Sequence, residues 1–248
     1  MRIKGRVVYH GGPFHGFAEN PGVRTIAGDL NKAITRIVGH PVGVTCAGRT
    51  DKGVHAVGQI ISFDIPDEIL LDRLASSVNS QCSPSILLTD LEIVDDRFDA
   101  RYSAVSRTYR YRILNSRNSD PFLIDRAWHI PNPLDLNRMQ NASSHLIGEH
   151  DFSSFCKKPK LPIGEEFSLV RRVNFASWDL SEQKNFFFEI NALSFCHQMV
   201  RSIVGTLVEV GLGKISPDDL PKIISLCDRQ LASKIAPPHG LILWSVDY

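Results

Sequence analysis

The order of strand-like and helix-like patterns predicts an α+β fold built from two related halves. Over roughly the first 95 residues these patterns follow one another as β-α-β-β-α-β, which is the order of a ferredoxin-like unit. The rest of the chain again combines strands with two long amphipathic segments. We therefore expect two ferredoxin-like halves with mainly antiparallel sheets, one over residues 1–100 and one over residues 101–248.

Hydrophobic spacing and turn residues predict the elements of the first half. A helix over residues 25–39 has an apolar stripe and ends at Gly39. A second helix is expected to begin at Pro66, because proline is favoured at the first helical position, and to run to about Val78. The expected strands cover residues 6–10, 42–46, 56–65 and 86–94.

The second half is predicted in the same way. We expect a strand over residues 107–114 and paired strands over 168–178 and 185–195. Helices are expected over residues 134–146, from about residue 197 to Gly211 or Gly213, and from Pro217 to about residue 227.

Composition is typical of a globular protein and excludes few function classes. The 248 residues are 43% hydrophobic and 22% charged, with a formal net charge of +1, so any surface for nucleic acid must be a local basic patch. No apolar run approaches the length of a membrane span and no signal-peptide pattern opens the chain, which predicts a cytoplasmic protein. The five cysteines are widely spread; we expect reduced thiols and neither a metal nor a cofactor.

The most concentrated polar stretch lies between the two strands expected at 42–46 and 56–65. Residues 47–55 read Ala-Gly-Arg-Thr-Asp-Lys-Gly-Val-His. A loop between strands can hold reactive groups on a rigid scaffold. A plain turn, with Gly48 and Gly53 supplying unusual backbone angles, is the alternative. Asp51 and Arg49 are the carboxylate and a cation of this loop that could carry chemistry.

A basic and aromatic strand follows the predicted boundary between the halves. From Arg101 to Arg117 the chain has five arginines, three tyrosines and no acidic residue. On a strand, Tyr109 and Tyr111 share one face. This pattern fits either a solvated basic face or aromatic stacking beside phosphate-binding arginines. Arg107 and Arg110 are candidate contacts to an RNA backbone, as are Lys157 and Lys158 in the run Lys157-Lys158-Pro159-Lys160.

These motifs resemble those of the tRNA pseudouridine synthase A family. The resemblance rests on the stretch 47–55 and on four further motifs, at separate places along the chain. Those are Phe-Asp-Ala-Arg at 98–101, Arg-Thr-Tyr-Arg-Tyr at 107–111, Phe195 to Gly205 around His-Gln-Met-Val-Arg, and Ala-Pro…Gly-Leu at 236–241. The chain departs from the family pattern at His10, Phe17 and residues 81–85, which bears on the choice of tRNA.

The resemblance implies an isomerase that converts uridine to pseudouridine in the anticodon stem-loop of tRNA, around positions 38 to 40. It implies a homodimer, no cofactor, and two halves that meet in a central basic cleft. Asp51 would be the catalytic residue, Tyr109 would stack on the uracil, and Arg201 would pair with Asp51. Arg49 would hold the flipped nucleotide or an adjoining phosphate. Two alternatives remain at this point: a non-catalytic ferredoxin-like RNA-binding protein, and a hydrolase that uses Asp51 with His55.

Overall fold

The computed structural model describes residues 1–158, 167–181 and 185–248. The chain forms two compact units, one of Met1–Val105 with Ile242–Tyr248 and one of Ser106–Leu241. The sequence placed the boundary after residue 100 and the last strand in the second half. The C-terminal residues belong instead to the first unit, because Ile242 and Leu243 pair in parallel with His55 and Ala56. A strand pairing between residues so far apart leaves no trace in local sequence patterns.

The first unit confirms the predicted α+β order. Its elements are β1 (Arg2–Tyr9), α1 (Ile26–Val38), β2 (Thr45–Cys46), β3 (His55–Asp64), α2 (Leu71–Cys82), β4 (Ile86–Val94) and β10 (Leu241–Asp247, from Ile242 onward). β1 lies between β4 and β3, antiparallel to both. The short β2 runs antiparallel along β3. The order β4-β1-β3-β2 is that of a ferredoxin-like unit, and β10 extends it beside the start of β3.

Local sequence signals predicted the ends of one helix of this unit and misplaced the start of the other. At the start of α1 the Thr25 hydroxyl accepts from the Gly28 N–H at 3.2 Å, and Gly39 ends the helix with a φ of 84°. α2 begins at Leu71, five residues beyond the predicted start at Pro66. Residues 67 and 68 form a turn in place of the expected first helical turn, and the exposed carboxylate of Asp67 lies 2.8 Å from the N-terminal amino group of Met1.

The second unit is a second antiparallel sheet with its own helices. Its elements are β5 (Ser106–Leu114), β6 (Trp128–His129), α3 (Leu136–Ser144), β7 (Gly148–Asp151), β8 (Val170–Ser181), β9 (Asn185–Ala192), α4 (Met199–Gly211) and α5 (Leu220–Ser225). β9 lies between β5 and β8 and is antiparallel to both. β7 pairs with β8, and β6 adds a short parallel contact to β5. The apolar stripe of α4 is almost wholly buried.

Two cysteines differ from the expectation of five reduced thiols. Cys156 and Cys196 are buried and form a disulfide, with their Cα atoms 5.7 Å apart. That separation is typical of disulfides. It arises because the backbone N–H of Lys157 donates to the carbonyl of His197 at 2.9 Å, which aligns the two segments. Cys46, Cys82 and Cys227 do not belong to this disulfide.

The described residues hold neither a membrane-length apolar helix nor a cluster of metal ligands. Across 1–158, 167–181 and 185–248 no helix has the length and apolar character to cross a membrane. In the same ranges no three His, Cys, Asp or Glu side chains gather as a metal site.

Candidate active site

Asp51 is half-buried in the loop between β2 and β3. The N–H of Val54 donates to the carbonyl of Asp51 at 3.2 Å, and Gly53 has a φ of 80°, so the chain turns sharply just after the carboxylate. Arg49 and Lys52, on either side, are exposed. The structure therefore places the candidate residues Asp51 and Arg49 in one tight loop, with the Arg49 side chain exposed at its surface.

The N-terminal side of this loop is fixed by a buried amide. Gln59, which is fully buried on β3, accepts from the Gly48 N–H at 3.2 Å and donates to the Gly48 carbonyl at 2.6 Å. The Ala47 N–H also donates to the carbonyl of Ile60 at 2.8 Å. A doubly bonded amide on a strand leaves Gly48 little freedom.

The segment after β1 holds the middle of the loop. The hydroxyls of Tyr9 and Thr50 are hydrogen-bonded at 2.7 Å in a buried position. The N–H of Phe17 donates to the carbonyl of Thr50 at 3.0 Å. Gly16, with a φ of 100°, lies so close that an added Cβ would be 2.9 Å from that carbonyl oxygen. Thr50, the neighbour of Asp51, is thus bonded through both its side chain and its backbone.

The surroundings of His55 do not support the hydrolase alternative, in which His55 and Asp51 would act as a dyad. Its side chain is 6% exposed. Its Nδ1 atom accepts from the backbone N–H of Gly11 at 3.1 Å. A nitrogen that accepts from a backbone N–H carries no proton, so one side of this imidazole is engaged in holding the chain.

Tyr109, the proposed stacking residue, lies on β5 of the second unit. Its side chain is 8% exposed, and its ring meets Phe195 edge-on, with centroids 5.0 Å apart. Tyr111, on the same face of the strand, is fully buried and donates its hydroxyl to the carbonyl of Pro237 at 2.8 Å. The predicted alternation along this strand is therefore present, with both tyrosines inward.

Arg201 lies in the first turn of α4 and is bound to the segment that precedes β10. Its Nε donates to the carbonyl of Ala236 at 2.8 Å, and its own carbonyl accepts from the Ala236 N–H at 3.0 Å. Burial raises the pKa of Tyr111, and the charge of Arg201 opposes that shift. Burial has the opposite effect on His239, whose pKa it lowers, and the positive charge of Arg201 lowers that pKa further. Arg201 is thus held by a short C-terminal segment in a fixed position.

The four candidate RNA-backbone contacts differ in their surroundings. Arg110 forms an ion pair with Glu189, directly opposite on β9. Arg107 is 7% exposed and donates to the carbonyl of Leu193. Lys157 and Lys158 are exposed. The other two members of that basic run, Pro159 and Lys160, lie outside the described residues.

The residues that fix the loop were not singled out from the sequence. They are Tyr9, Gly11, Gly16, Thr50 and Gln59, all in the first unit. Gln59 left a weak signal, as a polar residue between the apolar Val57 and Ile61 on the same side of the strand. The role of the others depends on which loop lies beside which.

Comparison with known proteins defines the class. A model of the family described as tRNA pseudouridine synthase matches residues 142–248. Proteins named tRNA pseudouridine synthase A are similar over the whole chain. One from Listeria monocytogenes serotype 4a is 39% identical over 249 residues, covering 100% of this chain and 99% of its own. One from Bacillus subtilis is 38% identical, and one from Brevibacillus brevis is 40% identical, each over 250 residues with the same coverage.

The sequence similarities place the chain among the pseudouridine synthases, which are isomerases. Within that class the chain belongs to the tRNA pseudouridine synthase A family. Membership in a family of isomerases argues against the hydrolase alternative.

Proposed function

We propose that this chain isomerises uridine to pseudouridine in the anticodon stem-loop of tRNA, around positions 38 to 40, with Asp51 as the catalytic carboxylate. Support for the tRNA substrate comes from the similar proteins, which are named for it. The observation that carries the role of Asp51 is its place in a loop whose neighbouring residues, Gly48 and Thr50, are each hydrogen-bonded twice.

The reaction balances without another reactant. The bond from N1 of uracil to C1′ of ribose breaks, the base turns, and C5 bonds to C1′. The proton on C5 is lost, and N1 gains a proton. An ionised carboxylate can act in this sequence as a nucleophile or as a base. The reaction is an isomerisation, and we propose no cofactor or metal for it.

A rigid loop suits this task because a misplaced carboxylate is a poor catalyst. Displacing a reacting group by about 1 Å costs on the order of 100-fold in rate. The contacts of Gly48 and Thr50 restrict the backbone on the N-terminal side of Asp51, and the turn at Gly53 restricts the other side. We propose that these contacts keep the carboxylate in place while the nucleotide binds.

The target uridine must leave its stack, at a cost of roughly a few kcal/mol. We propose that Tyr109 stacks on the uracil, which recovers about 1–3 kcal/mol. Support comes from the edge-on contact with Phe195, which orients the tyrosine ring. We propose that Arg49 binds the flipped nucleotide or an adjoining phosphate, and that Arg201 favours the ionised form of Asp51.

The remaining proposals concern the rest of the tRNA and the assembly. Lys157 and Lys158 are exposed, which suits contact with phosphates. Arg107 and Arg110 are proposed to act beside them, with Arg110 shared between RNA and Glu189. We also propose a cytoplasmic homodimer, which sedimentation of the purified protein would test.

The decisive experiment measures tritium release from C5-labelled uridine in an unmodified tRNA transcript. We expect release by the wild type and none by Asp51→Asn, with tRNA binding kept. Asp72→Asn, an exposed carboxylate on α2, is the matched control and should release tritium normally. Release by Asp51→Asn at the wild-type rate would overturn the role of Asp51. Binding without release by the wild type would instead favour a non-catalytic RNA-binding protein.

The position is tested with transcripts that carry uridine at only one of the positions 38, 39 and 40. We expect release from these and none from a transcript in which all three are replaced by cytidine. Undiminished release from the replaced transcript would refute the anticodon-arm assignment while leaving the isomerase activity in place.

A further inference from the structure

We infer that His55 is a positioning residue for Asp51, acting as a neutral imidazole that accepts a backbone hydrogen bond from Gly11. The inference rests on the proposed role of Asp51. It gives His55 a task other than proton transfer, and it makes the segment after β1 part of the catalytic machinery.

The hydrogen bond determines the protonation state of the ring. The Gly11 N–H can only donate, so Nδ1 of His55 must present a lone pair at 3.1 Å. A neutral imidazole with that lone pair carries its proton on Nε2. Both groups are buried, where losing the acceptor would leave an unsatisfied N–H.

Gly11 lies directly against the catalytic loop. An added Cβ at Gly11 would be 2.0 Å from the carbonyl oxygen of Val54 and 3.0 Å from the carbonyl carbon of Gly53. The bond from Gly11 to His55 therefore sets the distance between the segment after β1 and Val54. Val54 in turn donates its N–H to the carbonyl of Asp51 at 3.2 Å. This chain of contacts runs from His55 through Gly11 and Val54 to Asp51.

His55 has further neighbours, one that its ring meets and one that its backbone pairs with. The ring of His10, the residue before Gly11, lies 4.6 Å away between centroids, at an interplanar angle of 48°. The backbone of His55 is paired in register with Ile242 of β10. These contacts orient the imidazole so that Nδ1 meets the Gly11 N–H.

Three substitutions of His55 test whether the hydrogen-bond acceptor matters or only the size of the side chain. In His55→Asn, the Oδ1 atom can take the place of Nδ1, whereas His55→Gln puts its oxygen one bond farther out and His55→Leu has no acceptor. We expect His55→Asn to keep kcat within about threefold, because the hydrogen bond survives. We expect His55→Gln and His55→Leu to lose about 10- to 100-fold in kcat, because Asp51 is displaced. The KM for tRNA should stay unchanged in all three.

Equal kcat for His55→Asn and His55→Leu, or a loss confined to KM, would overturn the inference. His40→Leu, an exposed histidine after α1, is the control for generic loss of an imidazole. Nitrogen-15 NMR of the wild-type imidazoles tests the protonation state without any substitution. The expected result is a neutral His55 with its proton on Nε2, and a proton on Nδ1 would contradict the proposed hydrogen bond.

Asp51→Asn is assayed beside these variants to separate the two proposals. If it is inactive and the three His55 variants are equivalent, only the positioning role fails. If it is fully active, the role of Asp51 fails and the role of His55 fails with it.

Discussion

The hydroxyl groups of Tyr9 and Thr50 meet at 2.7 Å, 41 residues apart in the chain, with both side chains buried. This contact joins the end of β1 to the residue before Asp51. It couples the stability of the first sheet to the position of the candidate catalytic carboxylate. Removing one hydroxyl group can therefore test both the stability of the sheet and the position of the carboxylate.

Tyr9→Phe should lower both stability and kcat. Removing the phenolic oxygen leaves the buried Thr50 hydroxyl without this partner, which costs about 1–3 kcal/mol in the free energy of unfolding. Urea unfolding measures the loss. Tyr102→Phe is the control, since that side chain is 79% exposed, and it should change stability by less than about 0.5 kcal/mol. Equal stabilities for the two variants would show that the buried contact contributes nothing.

Gly11→Ala should sharply reduce activity. Its Cβ would lie 2.0 Å from the Val54 carbonyl oxygen, so the backbone of one loop has to move. We expect a loss in kcat on the order of 100-fold and about 1–3 kcal/mol in stability. Gly43→Ala is the matched control, because no atom lies within 4 Å of its added Cβ. Steady-state kinetics that find both variants fully active would refute the close contact.

Lys157→Ala and Lys158→Ala should each weaken tRNA binding in a salt-dependent way. Each lysine that contacts a phosphate contributes about 0.7–0.9 to the slope of log K against log salt concentration. Binding is best measured in the Asp51→Asn background, where no turnover is expected. Lys32→Ala removes an exposed lysine of α1 and should leave the slope unchanged. Slopes that match the wild type for both lysine variants would exclude these phosphate contacts.

Cys82 should make stability fall at alkaline pH. Burial raises the pKa of this thiol from 9.0 to about 11. A raised folded-state pKa means that stability is complete below the unfolded value and falls as the pH rises toward about 11. Buried Tyr111 acts in the same direction, so the test compares unfolding of wild type and Cys82→Ala across this range. Parallel curves would contradict the prediction for Cys82.

Thiol counting tests the disulfide between Cys156 and Cys196. Without reductant, the unfolded chain should react at three thiols, those of Cys46, Cys82 and Cys227, and at all five after reduction. The bond closes a sequence separation of 40 residues, so reduction should lower stability by about 2–4 kcal/mol. Five reactive thiols without reductant would refute the bond.

Much of the fold could be predicted from the sequence where a signal is local. Thr25 and Gly39 mark the ends of α1 within one residue of the predicted helix. The alternation along residues 107–112 predicted that Tyr109 and Tyr111 share one face of β5, and both side chains are buried. The predicted start of α2 at Pro66 was wrong, because residues 67 and 68 form a turn and the helix begins only at Leu71.

The sequence by itself determined the α+β class and the order of the elements. Its resemblance to a family supplied the candidate residues Asp51, Tyr109 and Arg201, whose roles stay predictions. The spacing of hydrophobic residues and the choice of turn residues depend on near neighbours in the chain, so a local stretch of sequence is enough to recognise them. Only the tertiary structure decided that β10 joins the first unit and that Gly11 supports His55. Those contacts join segments distant in the chain, and their partners are chosen by packing of the whole sheet, which no local pattern encodes.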